Sequence, residues 1–518
     1  MFRRGEPPEA VYSFKHALVR DAAYESLLKS RRQQLHGRIA RALEQRFAGT
    51  VASQPEIVAQ HFTEAGLVEH AIDYWLKAGH LALSRSANAE AVKHLRQGIE
   101  LTRSLPPSPE RVRKELDFYL ALGPAVAATE GYATPETLRV FSHARALLGE
   151  GGTLMEQMTV LWGAYLAHSM RAEYTAAREV AQQCLALGAH HEHPGISALA
   201  HRFMGQTLHF MGAFIDARVH LERALELCAA NPETVTSYRR FGTDDRVNAL
   251  SFLAPTLLLL GYPEQSVAAA AQAVSRAQTI GLAYSTALAL SHVAFLGTIG
   301  CDPQQAAAHA DQAIAVSAEH GLASPGHRAG FFRGALLAQS GDPRHGIELM
   351  RNAIAAAEGS AERNRRTLYL CHLASAHASL GQLEVGLGLL DEAIQTTEIT
   401  SERFFEAELH RLRGELLLSL GNKAEAEAAL RRALTVARQQ QAHWWELRAA
   451  TSLAKLWHDE GRSIEACSLL EPVYSWFIEG FDTSYLKNAK ALLDELKDLS
   501  GPQTQAGRNR SAFGRTVR

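Results

Sequence analysis

The 518 residues carry 53 Lys and Arg against 55 Asp and Glu, a formal charge of −2, with 47% hydrophobic and 7% aromatic residues. A near-neutral chain lacks the surplus of cations on which nucleic-acid affinity rests, which argues against a dedicated nucleic-acid binder. Alanine and leucine dominate and alternating runs of Val, Ile and Thr are scarce, so the composition predicts an all-α chain, either about three ordinary domains or one long repeat array.

In chain order, Met1 to Ala10 is charged and Pro-rich, with no apolar stretch of a secretory signal. Residues 1–46 hold ten Lys and Arg against five Asp and Glu, a net charge of +5. Tyr12, Phe14, Leu18, Ala22 and Leu28 predict an amphipathic start, and the basic run Lys29, Arg31 and Arg32 leads into Leu35, Ile39 and Leu43 on one helical face. No later run reaches the roughly 18 consecutive apolar residues that a membrane span needs; the most apolar, Leu250 to Leu260, is too short. The five cysteines, Cys184, Cys228, Cys301, Cys371 and Cys467, form no C-x-x-C pair, so neither a disulfide framework nor a zinc knuckle is expected and reduced cytosol is the simplest compartment.

A fixed period organises the rest. Gly261, Cys301 with Gly300 before it, Gly341, Gly381, Gly421 and Gly461 follow one another at intervals of 40 residues. Five residues after each mark comes a small side chain, Ser266, Ala306, Gly346, Gly386, Ala426 and Ala466, and seven before it another, Ala254, Ala294, Gly334, Ala374, Gly414 and Ala454. Twelve after stand Ala273, Ala313, Ala353, Ala393 and Ala433, with Val473 breaking the rule. Glycine at the mark ends one helix in a left-handed cap, and Gly341-Asp-Pro343 adds a proline suited to the first turn of the next. Small residues seven apart share a helical face and let the neighbouring helix approach closely. Apolar residues such as Leu390, Leu430 and Leu470 fill the space between hairpins, none of which could bury its own apolar face alone.

This register resembles the tetratricopeptide repeat, whose usual period is about 34 residues, so longer helices or turns are expected here. The match continues upstream at Gly212 (Gly205, Ala217, Leu221, Ala224) and Ala172 (Tyr165, Ala177, Leu185), and more weakly after Gly66 (Ala71, Trp75, Ala78) and Ser86 (Ala91, Leu95, Gly98). The interval from Gly212 to Gly261 is 49, which places an insertion in Asn231 to Asp245. The architecture expected is a right-handed α-solenoid of hairpins with a concave inner face.

A second resemblance sits at the amino terminus. The string from Tyr12 through Phe14, Lys15, His16, Asp21 and Tyr24 to Leu28 is similar to the segment that closes the ATPase module of bacterial STAND-type signalling proteins. In these a class III nucleotide cyclase or a DNA-binding domain is often followed by a P-loop ATPase and a tetratricopeptide array. His61 to Trp75, Ala407 to Leu416, Trp444 to Leu453 and Trp476 to Thr483 look like that family's array. The departure is that no G-x-x-x-x-G-K-[ST] phosphate loop and no cyclase core occur. The resemblance therefore implies the carboxy-terminal sensor half of such a protein, as a free-standing product, a split gene or a truncated frame, without ATPase or cyclase activity of its own.

Chemistry-bearing clusters are few. His190, His191, Glu192 and His193 precede Pro194 in an expected solvated turn, where adjacent residues rarely aim at one metal. No catalytic, cofactor-binding or metal-ligating residue is expected. The doublets Phe404-Phe405 and Trp444-Trp445, and Tyr284, recur at the same place before their marks, which favours packing between hairpins.

Six segments follow: 1–50, a basic helical segment resembling the end of an ATPase module; 51–110, divergent helices of the repeat type; 111–228, hairpins; 229–247, an inserted loop; 248–499, the regular 40-residue repeats with a cap; and 500–518, a disordered basic tail. Inner-face positions of the repeat give a candidate groove of Arg328 and Phe331, then Glu408, Arg411 and Glu415, then Arg448, Thr451, Lys455 and His458. The expected function is a non-catalytic scaffold or sensor of bacterial signal transduction that binds a protein, peptide or effector there. The alternative is a fragment or subunit of a multidomain adenylate or guanylate cyclase or STAND ATPase transcriptional regulator, with an ATPase or cyclase module as partner. Nucleic-acid and membrane partners are not expected.

Overall fold

The computed structural model describes residues 2–4, 11–13, 22, 24–149, 151–231 and 243–500. Two short strands open the chain, β1 (Phe2–Arg4) and β2 (Val11–Ser13), paired antiparallel with Arg3 opposite Tyr12. The amphipathic start expected from Tyr12 thus begins as a strand, since Val11 and Tyr12 are of the β-branched and aromatic types that favour a paired, extended backbone. Phe14 and Leu18 of that segment lie outside the described residues, as do 232–242 of the expected insertion and 501–518 of the expected tail.

All other regular structure among the described residues is helical. The first helices are α1 (Lys29–Arg46), α2 (Ala48–Ser53), α3 (Pro55–Glu64), α4 (Val68–Ser84), α5 (Asn88–Arg103), α6 (Pro109–Glu130) and α7 (Pro135–Leu148). They are followed by α8 (Leu154–Met170), α9 (Tyr174–His190), α10 (Pro194–Phe210), α11 (Phe214–Ala230), α12 (Asp245–Leu259) and α13 (Pro263–Ile280). The regular series continues with α14 (Ala283–Thr298), α15 (Pro303–His320), α16 (Ala323–Gln339), α17 (Pro343–Gly359), α18 (Arg366–Ser379) and α19 (Leu383–Thr400). It closes with α20 (Glu406–Ser419), α21 (Lys423–Gln439), α22 (His443–Asp459), α23 (Ser463–Ser475) and α24 (Ser484–Ser500). The chain is an all-α repeat fold. It divides into two compact units, Met1–Ala125 with His143–Gly149, and Val126–Ser142 with Glu150–Arg518.

In the first unit, α3 and α4 turn at Gly66 and α4 and α5 at Ser86, both with positive φ (73° and 58°). Phe62, Ala71, Trp75, Leu95 and Phe118 are buried between these helices. The small positions are needed for contact: a Cβ on Gly98 would stand 2.1 Å from the Phe118 ring.

In the second unit the forty-residue marks are the turns inside hairpins. Gly261, Gly341, Gly381, Gly421 and Gly461 all have φ between 76° and 107°, and Gly300 takes that role beside Cys301 with φ 125°. Asp302 and Asp342 then cap α15 and α17 through their side chains, with Pro303 and Pro343 in the first turn. A second left-handed series, Gly281, Gly321, Ala361, Ser401 and Gln441, makes the turns between hairpins, again at forty-residue spacing. Within hairpins the two small positions bring backbones together. A Cβ on Gly346 would fall 2.6 Å from the Gly334 carbonyl oxygen, and one on Gly334 would fall 2.8 Å from that of Gly346.

The hairpins of this unit wind until distant repeats touch. The carbonyl of Met170, at the end of α8, accepts hydrogen bonds from the amides of Arg363 (2.8 Å) and Asn364 (3.1 Å). Forty residues on in both partners, the carbonyl of Phe210 at the end of α10 accepts from Arg403 (2.8 Å) and Phe404 (3.1 Å). The Trp444 indole donates to the Ile299 carbonyl at 2.9 Å, while that of Trp445 donates to Phe404 of the preceding hairpin at 3.0 Å. One apolar core consequently runs from Ala172 to Leu496. The aromatic doublets pack hairpins as expected, and also join repeats far apart in sequence.

Gly346→Ala forces a methyl against a backbone carbonyl and is expected to lower stability by about 1–3 kcal/mol. Gly388→Ala, on an exposed stretch of α19 where nothing lies within 4 Å of the added carbon, is expected to raise it by about 0.5–1 kcal/mol. Urea unfolding of the two variants measures both.

Candidate partner-binding site

The first helices of the hairpins carry the candidate groove residues, and the structure sorts these into three environments. Arg328 and Phe331, on α16, are interior side chains with 4% and 0% exposure. Phe331 stacks on Tyr369 with ring centroids 4.0 Å apart.

Glu408, Arg411 and Glu415, on α20, join Arg448 of α22 in one ionic network. Arg411 grips Glu408 through two hydrogen bonds of 2.8 and 2.7 Å, one from Nε and one from Nη2. Its Nη1 also pairs with Glu415. Arg448 meets Glu408 at 2.9 Å, and the Ser452 hydroxyl donates to Glu415 at 2.8 Å. Burial by itself would push the Glu408 carboxyl up, yet Arg411 and Arg448 hold it below the usual carboxylate range. Arg448 also lies over the Tyr485 ring at 4.3 Å. The helices bring these four together because positions three and four apart on α20 share a face with the matching row of α22.

Thr451, Lys455 and His458 continue that row along α22. Thr451 donates to the carbonyl of Leu447. His458 touches Ser463 at 3.1 Å and reaches Glu495 of α24 at 3.4 Å. Lys455 is exposed.

A separate cavity of about 260 Å³ opens between α17, α18 and α19. Ile354, Leu370, Leu373 and Leu389 form its apolar part. At its edge Arg366 bridges Glu358 (2.7 Å) and Glu392 (2.6 Å). The histidine cluster has local roles: the His193 ring accepts from the amide of Ile196 and caps α10, and His190 contacts His191 edge to face. Among the described residues no three His, Cys, Asp or Glu converge as a metal site, and no helix is long and apolar enough to cross a membrane.

Sequence reasoning passed over the polar interior of this unit. Arg202, Arg365, Glu362 and Glu402 are all at least nine-tenths buried. Arg365 stands in the register slot that Phe405 and Trp445 fill in the next two repeats, and Arg202 takes the slot of Arg411 relative to its own turn glycine. A charged residue in an aromatic slot was the available signal. His209 and His372 are buried there as well, their imidazoles pushed down to about 3 and about 4 chiefly by burial.

Residues 407–440, which span α20 and α21, match the family model for the tetratricopeptide repeat. The chain carries a tetratricopeptide-type helical repeat region. An uncharacterized protein of Rhizobium meliloti (strain 1021), R02095, is 26% identical over 462 residues, covering 87% of this chain but 44% of its own length. The chain thus spans less than half of the curated relative it matches. Among solved structures, a Rap protein complexed with competence and sporulation factor superposes with a TM-score of 0.52 at 13% identity, over 71% of this chain and 98% of its own. The apo form of the quorum sensor NprR from B. thuringiensis gives 0.42 at 11% identity, over 72% and 99%.

Two outcomes are expected. Arg411→Ala leaves Glu408 buried with a single partner and lowers stability by about 3–5 kcal/mol, whereas Lys455→Ala changes it by less than about 0.5 kcal/mol; urea titrations compare them. The unfolded chain protonates His209 near pH 6.5 and the folded chain does not, so stability falls as pH drops from 6.5 towards 4, by about 1.4 kcal/mol per pH unit for each such ring. His209→Gln removes one ring, and its stability, measured across that window, declines less steeply than that of the unaltered chain by about this amount.

Proposed function

We propose that the chain is a non-catalytic scaffold and sensor of signal transduction, which captures a protein or peptide partner along the inner row of α20 and α22. One observation carries this reading. Glu415, Thr451 and His458 are half-buried and Lys455 is exposed along this row, while the neighbouring Glu408 and Arg411 are buried in the network that holds the row rigid. A fixed backdrop with mixed charges in front suits recognition of a polypeptide, whose binding would owe most to a few anchored contacts. The Rap protein, similar in fold, is seen with competence and sporulation factor, which supports a partner-binding role. The cytoplasm is the compartment proposed.

A second reading is that this is the repeat half of a larger STAND-type ATPase or nucleotide cyclase protein; the curated relative, of which this chain covers 44%, is longer, as that reading needs. The resemblance of the segment from Tyr12 to Leu28 to the close of an ATPase module supports it too. In such a protein a partner bound here would bias the attached switch, to the extent that it prefers one of its states.

A photo-reactive residue at Lys455 is expected to cross-link a cellular partner, and one at Val385, exposed on α19, to cross-link none. Equal capture at the two positions overturns the assignment of the row.

A further inference from the structure

The inner ends of α10 and α16 and the turn before α18 enclose a chamber of about 30 Å³, room for about two water-sized groups. Three guanidinium groups line it, from Arg202, Arg328 and Arg365, which are 3%, 4% and 5% exposed. Tyr132, Tyr284 and Phe252 are among the other wall residues, with the polar Gln206, Thr243 and Asn248, and no carboxylate is.

Three acidic groups stand in the neighbourhood, each with hydrogen-bond partners of its own. Asp245 meets Arg202 at 2.8 Å. Glu402 accepts four hydrogen bonds, from the Tyr174 hydroxyl, the amides of Arg365 and Thr367, and the Thr367 hydroxyl, all within 2.9 Å. Glu362 accepts from the Ser324 hydroxyl at 3.0 Å, its Oε1 has no hydrogen-bond partner, and the nearby Arg328 and Arg365 charges work against the upward push of burial on its carboxyl. Neither Arg328 nor Arg365 comes within ion-pair distance of a carboxylate among the described residues, although the Glu362 charge is near both and that of Glu402 near Arg365. Nη1 of Arg328 is buried with nothing to donate to. The Arg365 guanidinium lies over the rings of Phe210 (5.0 Å) and Phe252 (6.0 Å). Burial and the nearby Arg328 charge push it down to about 10. The nearby Glu362 and Glu402 charges offset part of this, but neither reaches Nη1 of Arg328, and a buried cationic donor left unpaired is an unfavourable arrangement that a bound anion relieves.

We propose that this chamber binds a compact monoanion, a halide or a carboxylate-sized oxyanion, between Arg328 and Arg365 with Arg202 beside it. The bound charge joins α10, α16 and the turn at 361–365, the same turn whose amides reach back to Met170, so it fastens the winding of the repeats. This inference stands independently of partner capture on α20 and α22.

The test uses the full chain at constant ionic strength, with sodium gluconate, too large for the chamber, replaced stepwise by chloride or formate. The melting temperature is expected to rise by about 2–4 °C and to saturate. In Arg328→Gln, which keeps a polar side chain without the charge, the rise is expected to vanish. Equal melting temperatures in all salts, or the full rise retained in Arg328→Gln, overturns the site. If that variant does not fold, calorimetric titration of chloride and formate into the unaltered chain decides: a saturable isotherm supports the site, and no saturable binding overturns it. A rise with chloride or formate supports the compact free anion, whereas a rise with acetylglycine but with neither of them overturns that assignment.

Discussion

Two carbonyl oxygens at helix ends, those of Met170 and Phe210, each receive a pair of amides from turns far along the chain. The last carbonyls of a helix have no partner within it and must find one elsewhere. Here they find it in the next winding of the repeats. Both contacts keep the same forty-residue register, so they close together, and a change in the pitch of one hairpin would break both. The continuous apolar core and the buried arginines follow from that closure.

Closure turns the inner face of a repeat array from a surface into an interior. First helices such as α14, which in an open array would show one side to solvent, are buried along nearly their whole length. The polar residues they carry must then be satisfied inside. On α20 and α22 this is achieved by mutual pairing: Glu408, Arg411, Arg448, Glu415 and Ser452 leave little unanswered. Around Arg328 and Arg365 it is achieved only in part, because Nη1 of Arg328 and Oε1 of Glu362 are each buried without a hydrogen-bond partner. A buried network that lacks one partner is a natural place for a ligand to supply it.

Much of this was legible in the primary structure. The marks from Gly261 to Gly461 are the left-handed turns they were read to be, and the small residues seven before and five after them meet at backbone distance, as Gly334 and Gly346 do. The second series of turns went unread because Ala361, Ser401 and Gln441 occupy positive φ without being glycine, so composition gave no sign. Tyr12 was read as helical from its spacing to later apolar residues, whereas the pairing of Val11–Ser13 with Phe2–Arg4 is a contact that periodicity cannot express. Of the candidate groove residues, register placed all nine on first helices, but register carries no information about how deep the inner face lies. Arg328 and Phe331 ended in the interior while Lys455 remained at the surface.

The sequence by itself determined the all-α class, the hairpin as the unit, its forty-residue period and the faces on which helices meet. These are set by short-range rules, namely helical periodicity, turn glycines and side-chain size, all of which repeat locally. The tertiary structure decided which repeats touch across a full winding, and with that which charges are paired, which are buried alone and which face solvent. Those depend on the accumulated rotation from one hairpin to the next, a small quantity summed over many units that no single repeat encodes.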